Sequence, residues 1–386
     1  MAADRKLARA GAVFTPPLAR QFFTCLLQTD PLPGTTGTGG ARGKCDNSEG
    51  CGVVYRISPT GSEATVYEFT GVPDGAQPVG PLIDVDGTLY GTTAYGGATG
   101  AKECGSLGCG TVFSVTPSGK ETVLHSFAHS DGSRPSGGLT AVGQTLYGTT
   151  PVGGTHNDGT FFSMTMGGQL TVLYNFGDKS SDASESLAPL VYLNGTLYGT
   201  SVVGGAGTKC DSGDEIGCGT VFGVTTSGKE TVLHSFDGPP DGAGPYGGLI
   251  AVDGMLYGTT QYGGTGYTTF CYGPSGDCGG TVYNITTAGK EGVLYDFGGV
   301  VHDGQIPWDN LVNLKGTIYG VTEAGGQYGW GTVFAVSKSG EERILHNFSK
   351  ARGHMPNALI ALKDRLYGTT VTGGADNWGT VFTLEP

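Results

Sequence analysis

Charge is scarce in this sequence. Asp, Glu, Lys and Arg make up only 14% of the 386 residues, and 34 acidic side chains outnumber 21 basic ones, leaving a net charge of -13. No Lys/Arg cluster relieves that acidic balance, so nucleic acid and anionic lipid are excluded as partners. A run of about 18 apolar residues is also missing, so no membrane span is expected. Arg5, Lys6 and Arg9 precede a patchy apolar stretch with no clear signal-peptide core. Either a signal has been removed or this start is unusual.

Glycine is abundant. The 73 Gly and 19 Pro together form about 24% of the chain, close to compositions that stay disordered. Against disorder stand 37% hydrophobic and 10% aromatic residues, enough apolar surface for a core. A helical fold is excluded too, since each interior Gly costs a helix roughly 1 kcal/mol relative to Ala. An all-β chain with many tight turns remains.

Eight of nine cysteines fall in close pairs: Cys45/Cys51, Cys104/Cys109, Cys210/Cys218 and Cys271/Cys278. Their gaps of five, four, seven and six residues do not fit the two-to-four spacing of a zinc knuckle. Each pair lies in an equivalent loop, which suits four local disulfides made in an oxidising compartment. Metal binding is the rival reading. Cys25 is left over, whether buried, free or intermolecular.

The chain repeats. Leu-Tyr-Gly recurs around Tyr90, Tyr147, Tyr198 and Tyr257, with Ile318-Tyr319-Gly320 and Leu366-Tyr367-Gly368 completing the set, at steps of 57, 51, 59, 62 and 48 residues. A Gly-Thr-Val-Phe-like run follows each, and a further copy, Val54-Tyr55, precedes them all. Next comes Glu-Thr-Val-Leu-His-Ser-Phe, clearest at 121–127 and 230–236. Each unit thus holds four β-prone runs punctuated by Gly, Pro and Asp. Four strands at a period of about 50 residues predict β-propeller blades, and seven Gly-Thr-Val-Phe strands predict seven. The expected architecture is a seven-bladed propeller of four-stranded antiparallel blades, residues 34–386, after an N-terminal segment, 1–33. The last unit stops after a third strand, so a strand from within residues 8–30 is expected to complete that blade and cover its edge.

The pattern of Leu-Tyr-Gly-Thr-Thr, Gly-Gly, Gly-Cys-Gly-Thr-Val-Phe and Leu-His-Ser-Phe, then Asp-Gly and Pro, resembles the GloVer tandem repeat over roughly residues 34–386. That family is similar to other bacterial extracytoplasmic (choice-of-anchor) propeller proteins, some with a C-terminal anchor, and none is visible here. The resemblance carries no catalytic motif to transfer.

Residues that recur in every unit are scaffold first. The Leu-Tyr-Gly tyrosines are read as inter-blade packing. His125, His234 and His346 share their position with Tyr67, Tyr174 and Tyr295, an exchange that a metal or proton-transfer role would not survive in most blades. The Asp-Gly pairs at Asp74, Asp131, Asp241 and Asp303 are turn chemistry. No cofactor is expected. The best structural-calcium candidate is the loop with Asp211, Asp214 and Glu215, although a solvated acidic tip explains it more simply.

Function is expected where the repeat is broken, on the face that carries the cysteine pairs and long loops. Where other units read Pro-Ser-Gly-Gly or Pro-Tyr-Gly-Gly, the sixth reads Pro307-Trp308-Asp309-Asn310, and Glu323 replaces a neutral residue. His302, Asp303, Tyr328 and Trp330 are close in sequence; unit five adds Tyr262, Tyr267, Phe270 and Tyr272, and unit seven Asn377 and Trp378. Aromatic faces beside Asp, Asn and Glu suit sugar rings, while loop packing is the bland alternative. Two classes follow. One is a secreted or cell-surface monomer binding a glycan or an extracellular protein through Trp308, Asn310, Tyr262, Tyr328, Trp330 and Trp378. The other is a polysaccharide-degrading enzyme, with Asp309 and Glu323 as glycosidase carboxylates or His302 as a lyase base.

Overall fold

A computed structural model describes residues 21–23 (backbone only), 32–40, 45, 50–58, 61–98, 102–179, 181–207, 209–210, 217–265, 279–350, 353–375 and 377–386. Seven antiparallel sheets follow one another as the blades of a propeller. Blade 2 is typical: Ile83–Val85, Thr88–Thr93, Thr111–Val115 and Glu121–Ser126, each paired with the next. Inner strands of successive blades lie side by side around the ring.

The repeated motif is legible as packing. In Leu-Tyr-Gly-Thr-Thr the Leu is fully buried, and the final Thr bonds the Thr of Gly-Thr-Val-Phe across the sheet, as in Thr150–Thr160 (2.9 Å) and Thr260–Thr281 (2.8 Å). The Gly lies under a ring: a Cβ on Gly148 would sit 2.7 Å from Phe162 Cζ. That Phe, in turn, meets the last Phe of the preceding blade edge-to-face. Phe69–Phe113, Phe127–Phe162, Phe176–Phe222, Phe236–Tyr283, Phe297–Phe334 and Phe348–Phe382 form one contact at each junction from blades 1/2 to 6/7, with centroids 4.9–5.4 Å apart. Such pairs add about 0.5–1.5 kcal/mol beyond area burial. The tyrosine of the motif contributes as expected: Tyr198 shares a core cluster with Tyr283 and Ile285 of the next blade.

Blade 1 differs from the sequence expectation. It comprises Gln21–Phe23, Leu32–Thr36, Val53–Ile57 and Glu63–Glu68. Leu32-Pro33-Gly34-Thr35-Thr36 is therefore a seventh copy of the tyrosine motif, hidden because Pro33 replaces Tyr; Gly34 faces Tyr55 as Gly148 faces Phe162. The first sheet thus reaches back past residue 34. Of the range 8–30, the strand that the structure describes is Gln21–Phe23. It is the inner strand of blade 1 and lies beside the strands of blade 7, rather than completing blade 7's outer edge. Among the described residues blade 7 has three strands, His354–Leu362, Arg365–Thr372 and Thr380–Leu384. The ring joins there through apolar packing, with Leu32, Tyr55 and Ile57 against Ile360 and Tyr367.

Candidate functional site

Loops between outer and inner strands meet loops between second and third strands on one face, as two-residue ribbons such as Gly75–Ala76 with Tyr95–Gly96 and Gly242–Ala243 with Tyr262–Gly263. Three disulfides lie there, Cys45–Cys51, Cys104–Cys109 and Cys210–Cys218, with Cα separations of 5.5, 5.1 and 5.1 Å. Cys271, Cys278 and Cys25 lie outside the described residues, as do Asp211, Asp214, Glu215, Tyr267, Phe270 and Tyr272.

Each disulfide also braces a junction. The carbonyls of Cys51, Cys109 and Cys218 accept hydrogen bonds from Gln77, Arg134 and Gly244 of the following unit, at 2.8–2.9 Å. The corresponding bond in blade 6 runs from Met355 N–H to the Trp330 carbonyl (3.3 Å). Trp330 and Trp378 thus stand where the disulfide blades have their second cysteine, immediately before Gly331 and Gly379. Trp330 packs on His354, centroids 4.6 Å apart, yet keeps 36% of its surface exposed. Tyr328 beside it is 55% exposed, and Tyr262 on blade 5 is 37% exposed. Trp378 is half-buried. His302 is exposed, with a left-handed φ of 68°, in the turn before Asp303.

Trp308, Asp309 and Asn310 are all half-buried at the entry to blade 6's inner strand. Pro307 pairs with Thr322, so Glu323 lies on the neighbouring strand at the same corner. Asn310 serves the scaffold, because its Oδ1 accepts the Gly248 N–H of blade 5 (2.5 Å). Asp309 presents its main-chain carbonyl to Thr259 Oγ1 (3.4 Å), just as Gly80 and Gly247 serve Thr35 and Thr200. Its carboxyl has no counterpart in those blades. Burial lifts that carboxyl to about 7, against the pull of the Asn310 N–H on its Oδ1 (2.6 Å). A carboxyl held there is protonated much of the time near neutrality.

A second recurrent arrangement lies between blades, and only half of it is visible in the sequence. Tyr67 and Tyr174 donate to Asp74 and Asp182 (3.0 and 2.7 Å), Tyr295 donates to Asp303 (3.1 Å), and His125 and His234 lie 2.9 and 3.1 Å from Asp131 and Asp241. Each Asp also accepts main-chain N–H groups of its own turn, as turn chemistry requires; Asp74 takes those of Thr70 and Gly75. The two histidines take the place that the tyrosines hold at the other junctions. Asp182 is not apparent from the repeat pattern because Ala183, not Gly, follows it. The first Glu of the next blade's outer strand joins the group. Burial and then the charge of Asp74, Asp182, Asp241 and Asp303 raise Glu121, Glu230, Glu291 and Glu342, respectively, to about 7. The signal for these residues is present in the sequence as the Glu of Glu-Thr-Val-Leu.

Ring, ribbons and junction pairs define a seven-bladed β-propeller with one elaborated, disulfide-braced face. The chain matches the Gloeobacter/Verrucomicrobia repeat over residues 25–211, 101–275 and 207–386, and it belongs to that family. No curated protein matches it in sequence. Among solved structures it is similar to a Mycobacterium tuberculosis puromycin-hydrolysing peptidase (10% identity, TM-score 0.55, covering 95% of this chain and 51% of that one) and to a puromycin hydrolase (11%, 0.51, 96% and 52%). This chain spans about half the length of those two proteins. A luciferin-regenerating enzyme also matches, at 13% identity and a TM-score of 0.44 over 80% of this chain and 91% of that one. At such identities the likeness shows the fold alone. The three disulfides point to an oxidising, extracytoplasmic setting. Among the described residues no helix is long and apolar enough to cross a membrane.

Proposed function

We propose that this is a secreted or cell-surface binding propeller that takes a glycan on its elaborated face, across blades 5 to 7. The observation that carries the reading is Asp309: the scaffold uses its carbonyl, and its carboxyl is surplus to every inter-blade bond that its carbonyl supports. Trp308 beside it and exposed rings at Tyr262, Tyr328 and Trp330 offer stacking surfaces for sugar CH faces, with Asp309, Glu323 and Asn310 for hydroxyls. Trp378 extends the surface to blade 7. An extracellular protein is the other ligand class for this face. A monomer suffices, since all these groups come from one chain.

One observation favours a second reading. A carboxyl at about 7 is what a general acid requires, so a glycoside hydrolase with Asp309 as acid and Glu323 as its partner carboxylate is the enzyme alternative, and His302 is the base if the reaction is an elimination. A glycan array run beside reducing-sugar and unsaturated-product assays separates them. Binding without turnover supports the first reading, turnover lost in Asp309→Asn supports the second, and neither binding nor turnover rejects both.

A further inference from the structure

The His/Tyr–Asp–Glu arrangement recurs around the ring, but its members vary, and the variation matters. The junctions of blades 1/2, 3/4 and 5/6 present a tyrosine to the aspartate. Junction 2/3 has His125 and Asp131, yet Leu170 stands where the glutamate belongs. Junction 6/7 has His346 but Arg352 in place of the aspartate. Among the described residues only junction 4/5 unites an imidazole with two carboxylates: His234, Asp241 and Glu291, whose ligand atoms all lie within 4.8 Å of one another.

The set is also unsatisfied. His234 Nε2 lies 3.1 Å from Asp241 Oδ2, and Glu291 Oε1, like that of Glu121, Glu230 and Glu342, is buried without a hydrogen-bond partner; among the described residues it is here alone that the orphaned glutamate faces an imidazole as well as a second carboxylate. A buried oxygen left without a donor is destabilising, and a neighbouring like charge adds to it. The same junction holds a further departure. Tyr283 replaces the phenylalanine found in blades 2, 3, 4, 6 and 7, and its buried hydroxyl has no hydrogen-bond partner either. A cation between the three side chains would satisfy Glu291 and remove the carboxylate repulsion.

We propose that His234, Asp241 and Glu291 form a binding site for one divalent transition-metal ion of the zinc class, linking the outer strands of blades 4 and 5. One imidazole nitrogen with two carboxylate oxygens suits zinc, whereas calcium and magnesium prefer all-oxygen sets. Bonds of about 2.0–2.2 Å in tetrahedral array put donors about 3.4 Å apart. The His–Asp pair is already near that spacing, and side-chain rotation brings in the third donor. Three protein ligands leave the fourth position to water, so the site stays open to exchange.

Zinc alone tests the proposal. Chelator-stripped full-length protein is titrated at pH 7.5 by calorimetry, with melting temperature followed in parallel. The wild type is expected to bind one equivalent at micromolar or lower concentration and to melt higher when loaded. His234→Tyr and Glu291→Leu place at this junction residues that other junctions already carry, so folding is retained, and each should weaken binding at least tenfold. His125→Tyr, at the junction that lacks the glutamate, should leave it unchanged. The proposal is overturned if the wild type binds no zinc below millimolar concentration. It is equally overturned if His234→Tyr and Glu291→Leu bind as the wild type does.

Discussion

Thr259 donates its hydroxyl to the carbonyl of Asp309 across the junction of blades 5 and 6, the bond that Thr200 makes to Gly247 one blade earlier. Aspartate therefore occupies a position where the ring needs only a main-chain oxygen. Asp309→Asn should leave the melting temperature at pH 6 within a few degrees of wild type. The sign of the pH effect follows from the raised carboxyl. The folded state holds its proton up to about 7, so its contribution to stability is complete at low pH and declines as pH rises through 7. Asn at 309 should make the melting curve less steep over pH 5–8; an unchanged slope would show that Asp309 titrates normally.

The junction glutamates act in the same direction. Glu121, Glu230 and Glu342 titrate near 7 in the fold because burial and a facing aspartate oppose their ionisation. Unfolded, they release protons near 4.3. The native state therefore binds more protons between those values, and stability falls as pH rises from about 4.5 to above 7. Gln at all three positions should flatten that decline in thermal unfolding followed at pH 5, 6, 7 and 8. A wild-type stability that rises across this range would contradict the burial argument.

Glycine under the phenylalanine is a packing requirement, not a turn requirement. Gly148→Ala puts a methyl group 2.7 Å from Phe162 Cζ and should cost about 1–3 kcal/mol, the range for overpacked cores. Phe162→Leu, which vacates the ring edge, should partly rescue it. Additive losses in chemical denaturation would mean that the two residues do not collide.

The loop disulfides close small rings, for which the chain-entropy estimate is about 2 kcal/mol each. Replacing Cys104 and Cys109 together by Ala should lower the melting temperature by a few degrees and leave the fold intact. Peptide mapping without reductant should recover Cys271 joined to Cys278, completing the set. A cross-loop linkage would contradict local pairing.

How much the sequence discloses depends on how strictly a position is packed. Seven blades are legible because the Gly-Thr-Val-Phe strand is held in blades 2 to 7 by the ring-on-ring contact and a hydroxyl pair, and blade 1 keeps a close variant of it, Gly52-Val53-Val54-Tyr55. The first tyrosine motif is not, because Pro33 keeps the strand while erasing the Tyr that announces it. Asp182 is hidden by Ala183 for a related reason: the turn needs the carboxylate, and the following glycine is optional. The role of Trp330 is half legible. Its departure from the repeat, a Trp before Gly331 where other units have Cys, is plain in the sequence, whereas its carbonyl bridging to Met355 emerges only from the hydrogen bonds. Asp309 is legible as an anomaly, and its raised carboxyl requires the burial that only folding provides.

The most direct test of the account is calorimetric binding of a glycan found on an array, measured for the wild type, Trp308→Ala and Asp309→Asn. If the elaborated face of blades 5 to 7 is the site, Trp308→Ala should weaken binding by about 1–3 kcal/mol, the scale of a lost aromatic anchor. Asp309→Asn should change affinity without changing the fold. Wild-type affinity in both variants would contradict the account and leave Trp308 and Asp309 as loop packing.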